Sequence, residues 1–196
     1  LSDATLVSAN LAQASLTKAF LNGANLSKAD LESADLTEAQ LTDAILADAN
    51  LKKVMLIRAT LAGSNLSRAN LESGNLSDAT LSGSNLTKAR LSGANLTNAD
   101  LSDATLQSAN LRGATLRGAN LSRVNLSSAD LTQAILRRAI LVGADLTNTK
   151  LKDVDWKGAD LTDVDLSGSR LTKSDLGNTV LCGTLVPWGE ENGGCK

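Results

Sequence analysis

The chain has no histidine and no tyrosine, and its 196 residues include one proline, one phenylalanine and two tryptophans. Without histidine it lacks the side chain that most often moves protons near neutral pH and most often ligates zinc or copper. Aromatic residues make up only 2% while apolar residues reach 42%, nearly all of them Leu and Ala. A core of mixed large and small shapes is therefore excluded, and the core must be built by repetition. No run of 18 apolar residues occurs, which excludes a membrane-spanning helix. Excess charge is lacking too: 19 basic and 21 acidic residues leave a net −2, so no overall field draws the chain to nucleic acid or to an anionic membrane.

What is present is a period of five. From Leu1 to Leu181 every fifth residue is Leu, with the single exception of Trp156 in 37 consecutive places. Two positions ahead of each later Leu, 25 of 36 residues are Ala, and the remainder are Val, Ser, Thr and Gly74. Such regularity takes precedence over local propensity. On an α-helix, steps of five turn by about 140° and scatter the leucines around the circumference. On an unbroken strand, an odd step sends successive leucines to opposite faces. The arrangement that buries them all is a short extended Ala-x-Leu piece followed by a two-residue corner. Turn-forming Ser, Thr, Gly, Asn and Asp crowd the two places after Leu, as in GANLSKAD.

The number of corners per turn comes from a second signal. At intervals of 20, the second residue after Leu reads Asp3, Gly23, Asp43, Gly63, Gly83, Asp103, Arg123, Gly143, Asp163, Gly183. This points to four corners per coil, one of which favours positive φ. Nine coils at the interstrand spacing of about 4.8 Å make a rod of about 45 Å.

Units such as ANLSR, ADLTD and ANLRG resemble the pentapeptide-repeat family, with the pattern Ala-(Asn/Asp)-Leu-x-x over residues 1–183. The resemblance implies an all-β fold, a right-handed quadrilateral parallel β-helix. It also implies two functional classes. Most such proteins are structural or interaction scaffolds, and some are DNA mimics that bind DNA gyrase and protect it from quinolones. The second class needs a strongly negative rod, about 26 charges over this length of duplex, and the net −2 falls far short.

The expected organisation is a repeat domain over 1–183 and a non-repeat segment over 184–196, where LVPWGEENGGCK abandons the period and suits a lid with Trp188. The expected core includes Leu66, Leu86, Leu106 and Leu126 with Ala94, Ala99 and Ala104. Replacements of Ala by Val, Thr and Ser from 149 onward, together with Trp156, predict wider or distorted final coils. Asn or Asp precedes Leu at 20 of 36 sites, better suited to corner hydrogen bonds than to metal ligation. Cys182 and Cys195 could close a disulfide in a periplasm or a thylakoid lumen, or remain thiols in a cytoplasm.

No catalytic residue, cofactor or metal is expected: the interior is filled, and two cysteines are too few for a zinc site. The anticipated chain is a soluble, non-enzymatic protein-binding scaffold without nucleic-acid or membrane partners. Its candidate surfaces are faces. The face built on Leu1 and every twentieth residue after it nets −5, carrying Asp100, Asp103, Asp160 and Asp163, and adds Phe20, Ile140 and Val142. Arg117, Arg137 and Lys157 stack in one basic column. Self-association through the N-terminal coil edge or through apolar patches is the other expected route.

Overall fold

In the computed structural model, which describes residues 1–195, parallel single-residue bridges join each position to the one 20 residues on, from Thr5↔Asn25 to Ile140↔Asp160. One turn of the chain is therefore four repeats, and eight of the nine coils superpose in strict register. A short antiparallel hairpin follows, β1 (Thr184–Val186) and β2 (Gly189–Glu191).

Accounting for the five amides of one repeat shows why five residues suffice. The Leu amide donates to the coil above, as Leu106 N does to the Asn125 carbonyl at 2.7 Å. The second residue after Leu does the same, Ser108 N to Ser127 O at 2.9 Å, and the next closes the turn, Ala109 N to Leu106 O at 3.0 Å. The residue before the following Leu donates to the coil below, Asn110 N to Ala89 O at 2.9 Å. The fifth amide, immediately after Leu, is taken by the preceding Asn or Asp side chain: Ser127 N reaches Asn125 Oδ1 at 2.9 Å, and Thr37 N reaches Asp35 Oδ1 at 2.9 Å. A buried backbone donor needs such a partner, and the Asn/Asp position supplies it locally.

Positive φ is not confined to one corner. The second residue after Leu is left-handed at all four, for example Asp103 (58°), Ser108 (58°), Gly113 (64°) and Gly118 (67°). The Gly above Asp found at three places in this column has a different cause. A Cβ on Gly183 would meet Asp163 Oδ1 of the coil below at 2.6 Å, and Asp3 and Asp43 crowd Gly23 and Gly63 in the same way. At these three places a carboxylate leans up against a glycine that leaves room for it, whereas Asp103 lies under Arg123 and pairs with it.

Leucine and alanine side chains point inward and fill the coil. Leu66, Leu86, Leu106 and Leu126 are buried, as are Ala94, Ala99 and Ala104. Where Ser replaces Ala inside, its hydroxyl bonds to the carbonyl of its own turn: Ser64 Oγ to Leu61 O at 2.7 Å and Ser84 Oγ to Leu81 O at 2.6 Å. The polar atom is satisfied within the repeat, which is why the interior tolerates it.

The stack opens once. Asp145, Lys150 and Asp155 have no bridge partner in the next coil among the described residues, whereas Asp160↔Val180 and Asp165↔Leu185 are in register. The ninth coil has moved away from the eighth over residues 165–175. Trp156 occupies a Leu position and is buried. Beyond it, 172–175 fold on themselves, with Thr172 N and Oγ1 donating to Asp175 Oδ2 at 2.7 and 2.6 Å. The chain regains register at Val180 and passes into β1.

The hairpin is tied down by a Cys182–Cys195 disulfide, Cα–Cα 5.0 Å. Leu181 N donates to Gly193 O at 2.8 Å, Val186 is buried, and half-buried Trp188 packs on the core while its indole N–H donates to Glu191 Oε1 at 2.7 Å. No helix among the described residues is long and apolar enough to cross a membrane.

Candidate functional site

Because the interior is filled with hydrocarbon, the ionisable side chains of the coils lie on the four exterior corners or on the strand positions between them. Where carboxylate pKa values move, they move down. Asp48 and Asp103 are lowered chiefly by hydrogen bonds from Arg68 and Arg123. Asp35, Asp165 and Asp175 are lowered by nearby hydroxyl and amide donors. Burial works to raise Asp130 and Asp155, but hydrogen bonds and neighbouring cations outweigh it. Carboxylates held ionised in this way serve as structural acceptors, whereas a general acid needs its proton near neutral pH.

The acidic face is less available than its charge suggests. Asp100 Oδ1 accepts from Ser102 N (3.1 Å) and from Asn120 Nδ2 (3.0 Å), and Asp160 Oδ1 from Thr162 N (3.0 Å) and Oγ1 (2.6 Å). Asp103 forms a two-pronged pair with Arg123, both contacts at 2.7 Å, and Asp163 leans on Gly183. These four carboxylates are committed to the wall. Phe20 (60% exposed) and Ile140 (43%) share a column, but six coils, or about 29 Å at the interstrand spacing, separate them. Val142 is half-buried. These apolar residues are not gathered into one patch.

The basic column is brought together. Arg117, Arg137, Arg138 and Lys157 line one groove of about 360 Å³ with Gly158 and Asn178. Asp155 pairs with Arg137 at 2.5 Å; among the described residues, Arg117, Arg138 and Lys157 have no ion-pair partner. Elsewhere the corners alternate sign, as in the Lys18, Glu38, Arg58 ladder and the Asp48–Arg68 pair (2.6 Å). The groove adjoins the opening between the last coils, a cavity of about 330 Å³ lined by 154–157, Ser174, Asp175 and 177–179. Sequence spacing locates the column and the adjacent Arg138 and Gly158, but the contribution of Asn178 depends on how the ninth coil is displaced. The sequence marks of that displacement are Trp in a Leu position and the loss of most inward Ala from 149 onward.

Comparison with known proteins adds to this. The sequence profile described as Pentapeptide repeats matches in eight copies, over residues 1–32, 34–72, 64–103, 75–113, 99–138 and 139–178. No curated protein matches the chain in sequence. Among solved structures, the chain is 35% identical to HetL, a pentapeptide repeat protein involved in heterocyst differentiation regulation from the cyanobacterium Nostoc sp. strain PCC 7120, over 83% of this chain and 86% of that one (TM-score 0.34). A pentapeptide repeat protein from the Arabidopsis thaliana thylakoid lumen is 33% identical over 53% of this chain and 65% of that one (TM-score 0.26). A trypsin-treated variant of QnrB1, a plasmid-mediated fluoroquinolone resistance protein, is 18% identical over 93% of this chain and 89% of that one (TM-score 0.64). The last shares the fold, the right-handed quadrilateral β-helix.

Proposed function

Since the chain belongs to the pentapeptide-repeat family, we propose that it is a non-catalytic scaffold that binds protein through its exterior columns. The observation that carries this is the fixed register of the wall. Along the first eight coils, side chains of one column repeat at every bridge, on a backbone in which inter-coil bonds, turn bonds and Asn/Asp side chains occupy the amides. Ordering costs are met when the protein folds, so contacts made later by these columns lose little further entropy. The Cys182–Cys195 disulfide favours an oxidising compartment, such as a periplasm or a thylakoid lumen.

A DNA-mimicking gyrase binder is the alternative, and the acidic residues speak against it. Asp100 and Asp160 are tied into the wall and Asp103 is neutralised by Arg123, so even the most negative face offers no continuous anionic track.

The test compares affinity capture by the wild-type chain with capture by two variants, Arg117→Glu/Arg137→Glu and Asp103→Lys/Asp163→Lys. A specific partner retained by the wild type and lost with one variant supports the scaffold role. Capture unchanged by both would remove the exterior columns from consideration. A gyrase supercoiling assay with a quinolone present discriminates the alternative: protection at stoichiometric protein would replace the scaffold reading with mimicry.

A further inference from the structure

At the opening between the eighth and ninth coils, the eighth coil presents donors whose acceptors have moved away. In regular coils the Leu-position amide donates to the coil above. Trp156 stands in that position, and its amide has no backbone acceptor among the described residues, while Gly158 N is displaced by one residue onto Asn178 O at 2.7 Å. The Trp156 indole N–H, in a side chain that is 2% exposed, also lacks a partner. A buried donor left unpaired is unfavourable, so the Trp156 indole N–H marks this end of the eighth coil as imperfectly packed.

Trp156 lines the 330 Å³ cavity there, and Lys157 and Asn178 line both that cavity and the adjoining basic groove. Lys157 and Asn178 thus join the cavity beside Trp156 to a groove that gathers four cations, Arg117, Arg137, Arg138 and Lys157. Asp155 answers only Arg137 within salt-bridge distance. The set is rich in donors and positive charge, and three of its members are guanidinium forks, which match the oxygens of a tetrahedral oxyanion.

We propose that the basic groove beside this opening is an oxyanion site for a phosphate group, held by Arg117, Arg137, Arg138 and Lys157. The ligand is a dianionic phosphate, either the free ion or a phosphate ester on a small peptide. The site is independent of the scaffold role and survives its failure, because phosphate binding at the groove needs no protein partner.

The test uses the full chain carrying Trp188→Phe, so that Trp156 is the sole fluorophore. Inorganic phosphate and a short phosphoserine peptide are titrated at constant ionic strength against sodium chloride. Saturable change in Trp156 emission with phosphate but not chloride is expected, with the Kd raised at least tenfold in Arg117→Gln/Arg138→Gln and unchanged in the remote control Arg68→Gln. Circular dichroism and amide spectra confirm that each variant is folded, and shifts of the Trp156 and Lys157 amides on adding phosphate provide a second readout. Tighter binding of the peptide identifies the ester as the source, and tighter binding of the ion identifies free phosphate. A response that does not saturate, that chloride reproduces, or that persists in the double variant overturns the proposal.

Discussion

Val54 lies one coil below Gly74, and its Cγ1 comes within 3.3 Å of the point where a Cβ on Gly74 would stand. Both occupy the inward position that is Ala in most repeats. The larger side chain below is matched by the absence of one above, so the core keeps its packing without a cavity or a clash.

Gly74→Ala restores the commonest residue of the repeat, yet it should destabilise the chain by about 1–2 kcal/mol through overpacking against Val54. Val54→Ala alone leaves a space and costs about 1–2 kcal/mol. The double variant Val54→Ala/Gly74→Ala should recover most of both losses, giving a coupling of about 1 kcal/mol or more in a denaturant double-mutant cycle. Strict additivity would mean that the two residues do not share space.

Acid should weaken the stack in a defined window. The Asp35 carboxyl is held below its ordinary value of 3.8 by the Thr37 hydroxyl and amide, and those of Asp165 and Asp175 by equivalent donors at Ser167 and Thr172. A folded pKa below the unfolded one contributes stability that is fully present above the unfolded value and is lost as pH falls through the folded one. Melting temperature should therefore be flat from pH 7 to about 5 and fall below about pH 4. Asp35→Asn keeps the acceptor oxygen but does not titrate, so it should shallow that fall; an unchanged acid limb would show that the Thr37 contacts carry no linkage.

Reduction should act locally. The Cys182–Cys195 bond spans 13 residues and closes a loop for which about 3 kcal/mol of stabilisation is expected. In hydrogen exchange, reductant should release protection at Leu181, whose amide bonds to Gly193 O, and in the β1–β2 hairpin. Leu86 and Leu106, five and four coils away, should keep theirs. Uniform loss along the rod would indicate that the hairpin anchors every coil.

Much of this protein is legible in its sequence because a rigid period leaves little freedom. Once Leu recurs in fives, one winding buries Leu and Ala together, and a fixed length per coil determines which side chains share a column; Arg117, Arg137 and Lys157 could be aligned by counting. The tertiary structure decided what counting does not reach. It shows that all four corners of the regular coils are left-handed, that Asp163 presses on Gly183, and that Asp100 and Asp160 are spent on their own turns. It alone locates the opening beside Trp156, since how far a coil yields to an oversized side chain depends on the packing of its neighbours in space, and no local pattern of residues encodes that balance.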